Sequence, residues 1–373
     1  MATADLPDEI LTEVFSYLPT KSIGRLRILS RSWCNVLSSA SFRDLHRRRA
    51  NGPGQLKVFF SANDKTLEEY GPSYFYAWQP GGPLPTKLTL HKFHRPALLT
   101  RPLHGLVIIS CPGTGYHVCN PSTGEALSLP DTAQPAKMTN CLYGRYVTYG
   151  LGYCSVSEEY KAVRLFSNTY EEGYTCCEVF ILGGTPYWRP TARRPPPCIV
   201  DDKNLGVFLE GRLHFLCFGR IISFDLSSET FGTVEPPPNT GHASVRMTEL
   251  DGCLCVYDKY IGHLYYSCHI WVMRDYPKRQ RRWEQLCRID PMAWTEFDRK
   301  QLRSSWIAPL GMYDGNNGQR RIMFDTGTCK VFALDIPNCD APEIIFSPTS
   351  ADSFLDSNKP RLGLFEESLA PME

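Results

Sequence analysis

Apolar residues recur along this chain with two different periods. In LPDEILTEVFSYLPTKS (6–22), Leu11, Val14, Phe15 and Leu18 stand at i, i+3, i+4 and i+7, one face of a helix, and Ile10 widens the stripe. Pro7 suits the first helical turn, Asp8 and Glu9 favour the positive end of the helix dipole, and Pro19 stops the helix. Ser22 can cap a second short helix carrying Ile23, Leu26 and Leu29. Ser30 can cap a third, with Trp33, Val36 and Leu37, and Ser41 can open a last turn with Phe42 and Leu45.

Beyond residue 55 the pattern becomes strand and turn. An apolar strand opened by a glycine turn, a second strand and a polar turn recur. The copies are RPLHGLVIIS with GYHVCNPSTGEALSLP, GLGYCSVSEEYKAVRLF with CCEVFIL, and LEGRLHFLCF with RIISFDLSSETFGTVEPPP. LDGCLCVYD with CHIWVMRD and RQRRWEQLCRI is a fourth, and RIMFDTGTCKVFALDIP a fifth. A sixth joins QLKVFF and YFYAW near the start to EIIF near the end. A spacing of about 40–50 residues is the length of a propeller blade. A β-sandwich or an irregular barrel also yields short strands and turns. The repeat favours a propeller of about six blades, whose ring leaves few exposed edges. Prolines at 195–197 and 236–238 fall between strands, where a missing N–H does least harm.

The expected architecture is α+β and multidomain: a three-helix head over residues 1–46, a linker over 47–54, an all-β body over 55–346 and a mobile tail over 347–373. RRRANGPG (47–54) marks the boundary: three arginines suit a helix C-terminus, and Asn-Gly-Pro-Gly breaks regular structure. The tail is rich in Ser, Pro, Asp and Glu. The head is too small to bury its own apolar residues. The surplus either packs on the body or forms a docking face for another protein.

Charge and composition narrow the chemistry. The net charge of +1 gives no drive toward nucleic acid or anionic membrane, and no apolar run approaches the roughly 20 residues of a membrane helix. An acidic N-terminus without an apolar signal core points to the cytoplasm or nucleus rather than secretion. The 15 cysteines are then expected as buried thiols. Cys253 and Cys255 share a strand face, and no second pair at zinc spacing accompanies them. His91 and His94 lie beside prolines and read as surface residues, and GTG (113–115) lacks the Lys-Ser/Thr of a phosphate loop. Asp225, Asp275 and Asp335 recur at strand ends, where Asp makes turns. No catalytic residues, metal ligands or cofactor are expected. The basic stretch RDYPKRQRRW (274–283) is either a solvated hairpin loop or part of a partner surface.

Leu6-Pro7-x-Glu9-Ile10-Leu11, Val14-Phe15-x-x-Leu18-Pro19, then Ser22, Arg25, Arg27, Ser30, Arg31, Trp33, Leu37 and Phe42 resemble the F-box in order and spacing. That resemblance implies a helical unit that binds a Skp-type adaptor and, through it, the cullin and RING subunits of an SCF ubiquitin ligase. It places Leu6, Pro7, Ile10, Leu11, Val14, Phe15, Leu18 and Pro19 against the adaptor and Leu37 in the core, while Trp33 serves either the core or the adaptor. LHGLVII, CNPSTGE, YGLGYCSVSEEYKAVRL and LEGRLHFL are similar to the F-box-associated interaction domain of plant F-box proteins. Two positions depart from it: Cys119, where an aromatic is common, and Cys154, where Asp is common. The resemblance implies a non-catalytic substrate receptor, with a protein target on body loops such as those of Tyr260, Arg279, Arg281 and Arg282. A structural or signalling F-box protein without a degraded target is the second reading, and a propeller enzyme with a helical appendage the third.

Overall fold

Pro7 and Pro19 each stand one residue ahead of a helix, α1 (Asp8–Phe15) and α2 (Thr20–Leu26). Ser22, expected as a cap, lies inside α2, because the fixed φ of Pro19 starts that helix earlier. α3 (Arg31–Ser38) is capped by Ser30, whose hydroxyl accepts from the Trp33 N–H at 3.1 Å. α4 (Ala40–Ala50) is capped by Ser39, which accepts from the Phe42 N–H at 3.2 Å. The head therefore has four helices rather than three. α4 also runs through Arg47–Ala50, so the linker expected at 47–54 begins in helix. Asp44 pairs with Arg47 at 2.9 Å and Arg48 at 2.6 Å, the i+3 and i+4 positions that extend a helix.

This computed structural model describes residues 7–52, 57–63, 73–80, 82, 85–88, 96–111, 113–130, 146–167, 175–201, 204–238, 240, 245–258, 260–261, 266–276, 282–290, 294, 307–315, 318–326, 330–336, 342–346 and 363–372. The body is a propeller of six antiparallel sheets. Blade 1 holds β1 (Lys57–Asn63), β2 (Ser73–Trp78) and β3 (Thr86–Lys87). Blade 2 holds β4 (Ala97–Leu98), β5 (Val107–Cys111), β6 (Gly115–Cys119) and β7 (Ala126–Ser128). Blade 3 is β8 (Tyr146–Cys154), β9 (Glu159–Ser167), β10 (Thr175–Ile181) and β11 (Arg189–Pro190). Blade 4 is β12 (Val207–Leu209), β13 (Arg212–Cys217), β14 (Arg220–Asp225) and β15 (Phe231–Val234). Blade 5 has β16 (Val245–Leu250), β17 (Cys253–Asp258), β18 (Tyr260–Ile261), β19 (Tyr266–Arg274) and β20 (Arg282–Ile289). Blade 6 has β21 (Ala308–Asp314), β22 (Arg320–Asp325), β23 (Val331–Asp335) and β24 (Glu343–Phe346).

The ring is closed by β25 (Gly363–Phe365), which pairs with β1 and sets Leu364 opposite Val58. Blade 1 is thus completed by residues near the C-terminus, but not by EIIF, which is β24 at the outer edge of blade 6. The tail expected to be mobile over 347–373 supplies this strand and the buried residues Ser368, Leu369, Ala370 and Met372. Its polar composition hid one short apolar strand. The core lies between the blades. One cluster fills each gap, from Phe59, Val107 and Ile109 between blades 1 and 2 to Val58, Leu310 and Met323 between blades 6 and 1. Arg101, ahead of β5, reaches blades 5 and 6, where its guanidinium donates to the carbonyls of Glu249 and Pro309 at 3.0 Å each.

The glycine turns behave alike in blades 2, 4 and 5. His104-Gly105, Glu210-Gly211 and Asp251-Gly252 have positive φ at both residues, the primed turn whose twist matches an antiparallel hairpin.

Candidate functional site

The helical head has an inner and an outer side. Ile23, Leu37 and Phe42 are fully buried, and Phe15, Leu18, Leu26 and Trp33 pack against them. Phe15 meets Trp33 edge-on at 4.9 Å between ring centroids, the arrangement aromatic rings favour. Leu37 is a core residue, and Trp33 is half-buried beside it. On the outer side, α1 buries none of its residues: Ile10 is 48% and Val14 50% exposed, and Tyr17 beyond it is 69% exposed. The turn between α2 and α3 adds Ile28 at 84% and Leu29 at 75%. Lys21, Arg25 and Arg31 are exposed on the same helices.

Of the eight side chains implied to contact an adaptor, Pro7, Ile10, Val14 and Pro19 are exposed and Leu11 is half-buried. Phe15 and Leu18 instead turn toward the core of the head, and Leu6 lies outside the described residues. Helical spacing placed Leu29 inward, but α2 ends at Leu26 and the following turn rotates Ile28 and Leu29 outward. Helical spacing alone carries no signal for this, because the outward turn depends on where α2 ends.

Of the four propeller residues expected on target loops, the two described ones, Tyr260 and Arg282, lie far apart on blade 5. Tyr260 pairs with Ser267 near the start of β19, and Arg282 pairs with Arg274 at its end. Seven residues of strand, roughly 23 Å, separate those positions. Inner strands run parallel in a propeller, and the end of β25 enters the segment that touches the head, so Arg282 sits at the head-side end of blade 5 and Tyr260 at the far end. Arg279 and Arg281 lie outside the described residues. Arg282 is exposed, and its neighbour Arg274 pairs with Glu284 at 2.8 Å.

Elsewhere the polar groups serve the fold. Asp225 accepts from the N–H groups of Ser227 and Ser228, as expected of a turn-making aspartate. Asp258 accepts from the His269 backbone N–H and lies 3.0 Å from its ring Nδ1 inside blade 5. Cys255 is buried in the gap between blades 5 and 6, and Cys253 packs against the same cluster, the shared strand face expected of the pair. Burial pushes the Cys111 thiol up to about 11 and raises those of Cys119 and Cys255 further, which disfavours thiolate chemistry. Cys154 differs from these three. Burial opposes ionisation there too, but hydrogen bonds from Ser157 and the Val156 N–H more than offset it and lower the thiol. Among the described residues, no group of three or more His, Cys, Asp or Glu side chains is arranged to hold a metal ion. His91 and His94 lie outside them.

Comparison with known proteins adds two domain matches. Residues 4–45 match the F-box domain, and residues 60–309 match the F-box associated beta propeller domain. The F-box protein CPR1 of Arabidopsis thaliana is 25% identical over 380 residues, covering 90% of this chain and 86% of that protein. A second Arabidopsis thaliana F-box protein is 25% identical over 371 residues, covering 91% of this chain and 87% of its own length. An F-box/kelch-repeat protein of the same organism is 23% identical over 295 residues, covering 73% and 67%.

Proposed function

The chain belongs to the F-box associated β-propeller family, with an F-box ahead of the propeller, and we propose that it is the substrate-recognition subunit of an SCF (Skp–cullin–F-box) ubiquitin ligase. In this reading the F-box binds a Skp-type adaptor, which brings the cullin and RING subunits, and the propeller holds a protein target in the cytoplasm or nucleus. The chain performs no chemistry. It raises the effective concentration of target lysines near ubiquitin carried by a separate enzyme.

The observation that carries this reading is the outer side of the F-box. Isolated apolar side chains are ordinary on a surface, but five large ones on so small a unit are not. Ile10 and Val14 stand one helical turn apart, the spacing with which a helix presents anchors to a partner. Arg25 and Arg31 flank the exposed turn in the chain, Lys21 is exposed at the start of α2, and these charges favour an acidic surface on the adaptor.

The test is co-purification with a Skp-type adaptor after co-expression. The wild-type chain is expected to bring the adaptor with it. Ile10→Asp with Val14→Asp should weaken binding at least about 100-fold, close to 3 kcal/mol, and leave the β signal in circular dichroism intact, since neither residue is buried. Undiminished adaptor binding by that double variant contradicts the assignment. A reducible ubiquitin adduct removed by a single Cys→Ser change contradicts the non-catalytic role.

A further inference from the structure

The last described residues touch the F-box and the propeller in alternation. In Glu367–Ala370 the backbone of Glu367 and the side chain of Leu369 meet the F-box side while Ser368 and Ala370 meet the propeller, the period of an extended chain, and the Glu367 carboxylate bridges the two. The backbone of Glu367 is held twice by one residue: its N–H donates to Asn51 Oδ1 at 2.7 Å, and its carbonyl accepts from Asn51 Nδ2 at 2.8 Å. Its carboxylate accepts from the Thr20 N–H at 2.7 Å and pairs with Lys57 on β1 at 3.0 Å. Leu369 is buried among Ile23, Leu37 and Phe42 and completes the core of the F-box.

On the other side, Asn120 Nδ2 donates to the carbonyls of Ser368 and Ala370 at 3.1 Å each. The Ser368 N–H donates to Ser122 Oγ at 3.3 Å. Ala370 and Met372 are buried in the gap between blades 2 and 3. The surface beneath is shaped for this path. A Cβ on Gly105 would lie 2.6 Å from Ser368 Cβ and 2.9 Å from the Glu366 carbonyl, whereas Cβ atoms on the matching turn glycines Gly211 and Gly252 would meet nothing within 4 Å.

We propose that Glu366–Met372 is a strap that locks the F-box onto the propeller at one fixed angle while leaving Ile10 and Val14 uncovered. This rests on the reading above and deepens it. A receptor that works by proximity delivers only the lysines its geometry brings to the charged ubiquitin. The strap, rather than the chain crossing at Asn51–Gly52, sets that geometry. It directly follows β25, so one short C-terminal segment both closes the ring and seats the F-box.

The test uses the full chain, alone and with a Skp-type adaptor, under limited trypsin digestion. The sites at Arg47–Arg49 and Lys57 flank the junction. The variants are Leu369→Asp and Gly105→Ala, with Gly211→Ala as control for the same positive-φ strain without the strap. Cleavage at the junction tracks the population of opened molecules. Leu369→Asp and Gly105→Ala are expected to be cut there at least about tenfold faster than wild type, and Gly211→Ala at the wild-type rate, with the β circular dichroism of the propeller retained. Small-angle scattering should show a larger radius of gyration for the two strap variants. If Leu369→Asp does not accumulate, Gly105→Ala against Gly211→Ala decides. Equal junction rates in Gly105→Ala, Gly211→Ala and wild type overturn the strap. Failure of the wild-type chain to bind the adaptor overturns the functional reading instead, and the cleavage rates of the chain alone still decide the strap.

Discussion

At the scale of single residues, apolar side chains on the F-box divide between two duties. Leu37 is fully buried and Ile10 is half exposed, although both belong to the same amphipathic signature. Leu37→Ala should destabilise the F-box by about 2–5 kcal/mol. Ile10→Ala should cost no more than about 0.5 kcal/mol of stability and act on adaptor affinity instead. Hydrogen exchange in α2–α4 and a binding titration separate the two effects. His104 sits at the junction, with Tyr160 Oη 3.1 Å from its ring Nδ1, Tyr153 against its ring and Glu366 accepting from its backbone N–H. Burial and then the nearby Arg47 push it down from 6.5 to about 4, against the opposing pull of Asp44. The ring is neutral in the folded protein, so between pH 6.5 and 4 the unfolded chain binds the extra proton and His104's contribution to stability is lost as pH falls. Burial lowers His46 in the same direction, while Glu366, raised by burial, contributes in the opposite direction. Comparing wild type with His104→Asn isolates the one residue, and Asn tolerates its positive φ. Thermal melts should fall less steeply with acid in the variant across that window, and parallel pH profiles would contradict this account.

At the scale of elements, what could be read from the sequence depended on whether the signal was local. The first helix declares itself by apolar spacing and flanking prolines. The strand pairs declare themselves by glycine turns such as Leu-Glu-Gly-Arg-Leu and Leu-Asp-Gly-Cys-Leu. Those cues depend on neighbours in the chain, and the five repeat copies became blades 2 to 6. The strand that closes blade 1 carries no such cue. Gly363–Phe365 is three residues long and gains its place by pairing with β1, some 300 residues earlier in the chain, and by packing Leu364 and Phe365 into the gaps on either side of blade 1. EIIF looked the better strand on composition, yet it belongs to blade 6. Asn51 and Asn120 read as turn formers, and both do end turns or helices. Their amides also grip Glu367, Ser368 and Ala370, which no spacing in the sequence foretells. The same distinction applies to the functional face. Helical period found Ile10 and Val14 but could not tell them from Phe15 and Leu18, whose burial depends on where α3 and α4 pack. Blade strands should respond as core: Ile108→Ala and Ile222→Ala should each cost about 2–5 kcal/mol by denaturant titration. Arg282→Ala, on an exposed position, should stay within about 0.5 kcal/mol.

At the scale of the whole molecule, a small F-box and a closed ring are joined by a segment that belongs to both cores. Tyr260 and Arg282 lie toward opposite ends of blade 5, so only the end away from the F-box is free of it. Arg101 ties the loop before β5 to blades 5 and 6 through backbone carbonyls, and Arg101→Met should lower the melting temperature without altering adaptor binding. The central claim is that this chain plugs a propeller into a ubiquitin ligase, and assembly tests it most directly. Purified Skp-type adaptor, cullin and RING subunits are mixed with the chain and resolved by size-exclusion chromatography. The account predicts that the wild-type chain co-elutes with all three in one complex, and that Ile10→Asp with Val14→Asp elutes apart from them while still folded. Wild-type chain eluting apart from the three subunits, or the double variant eluting with them, would contradict it.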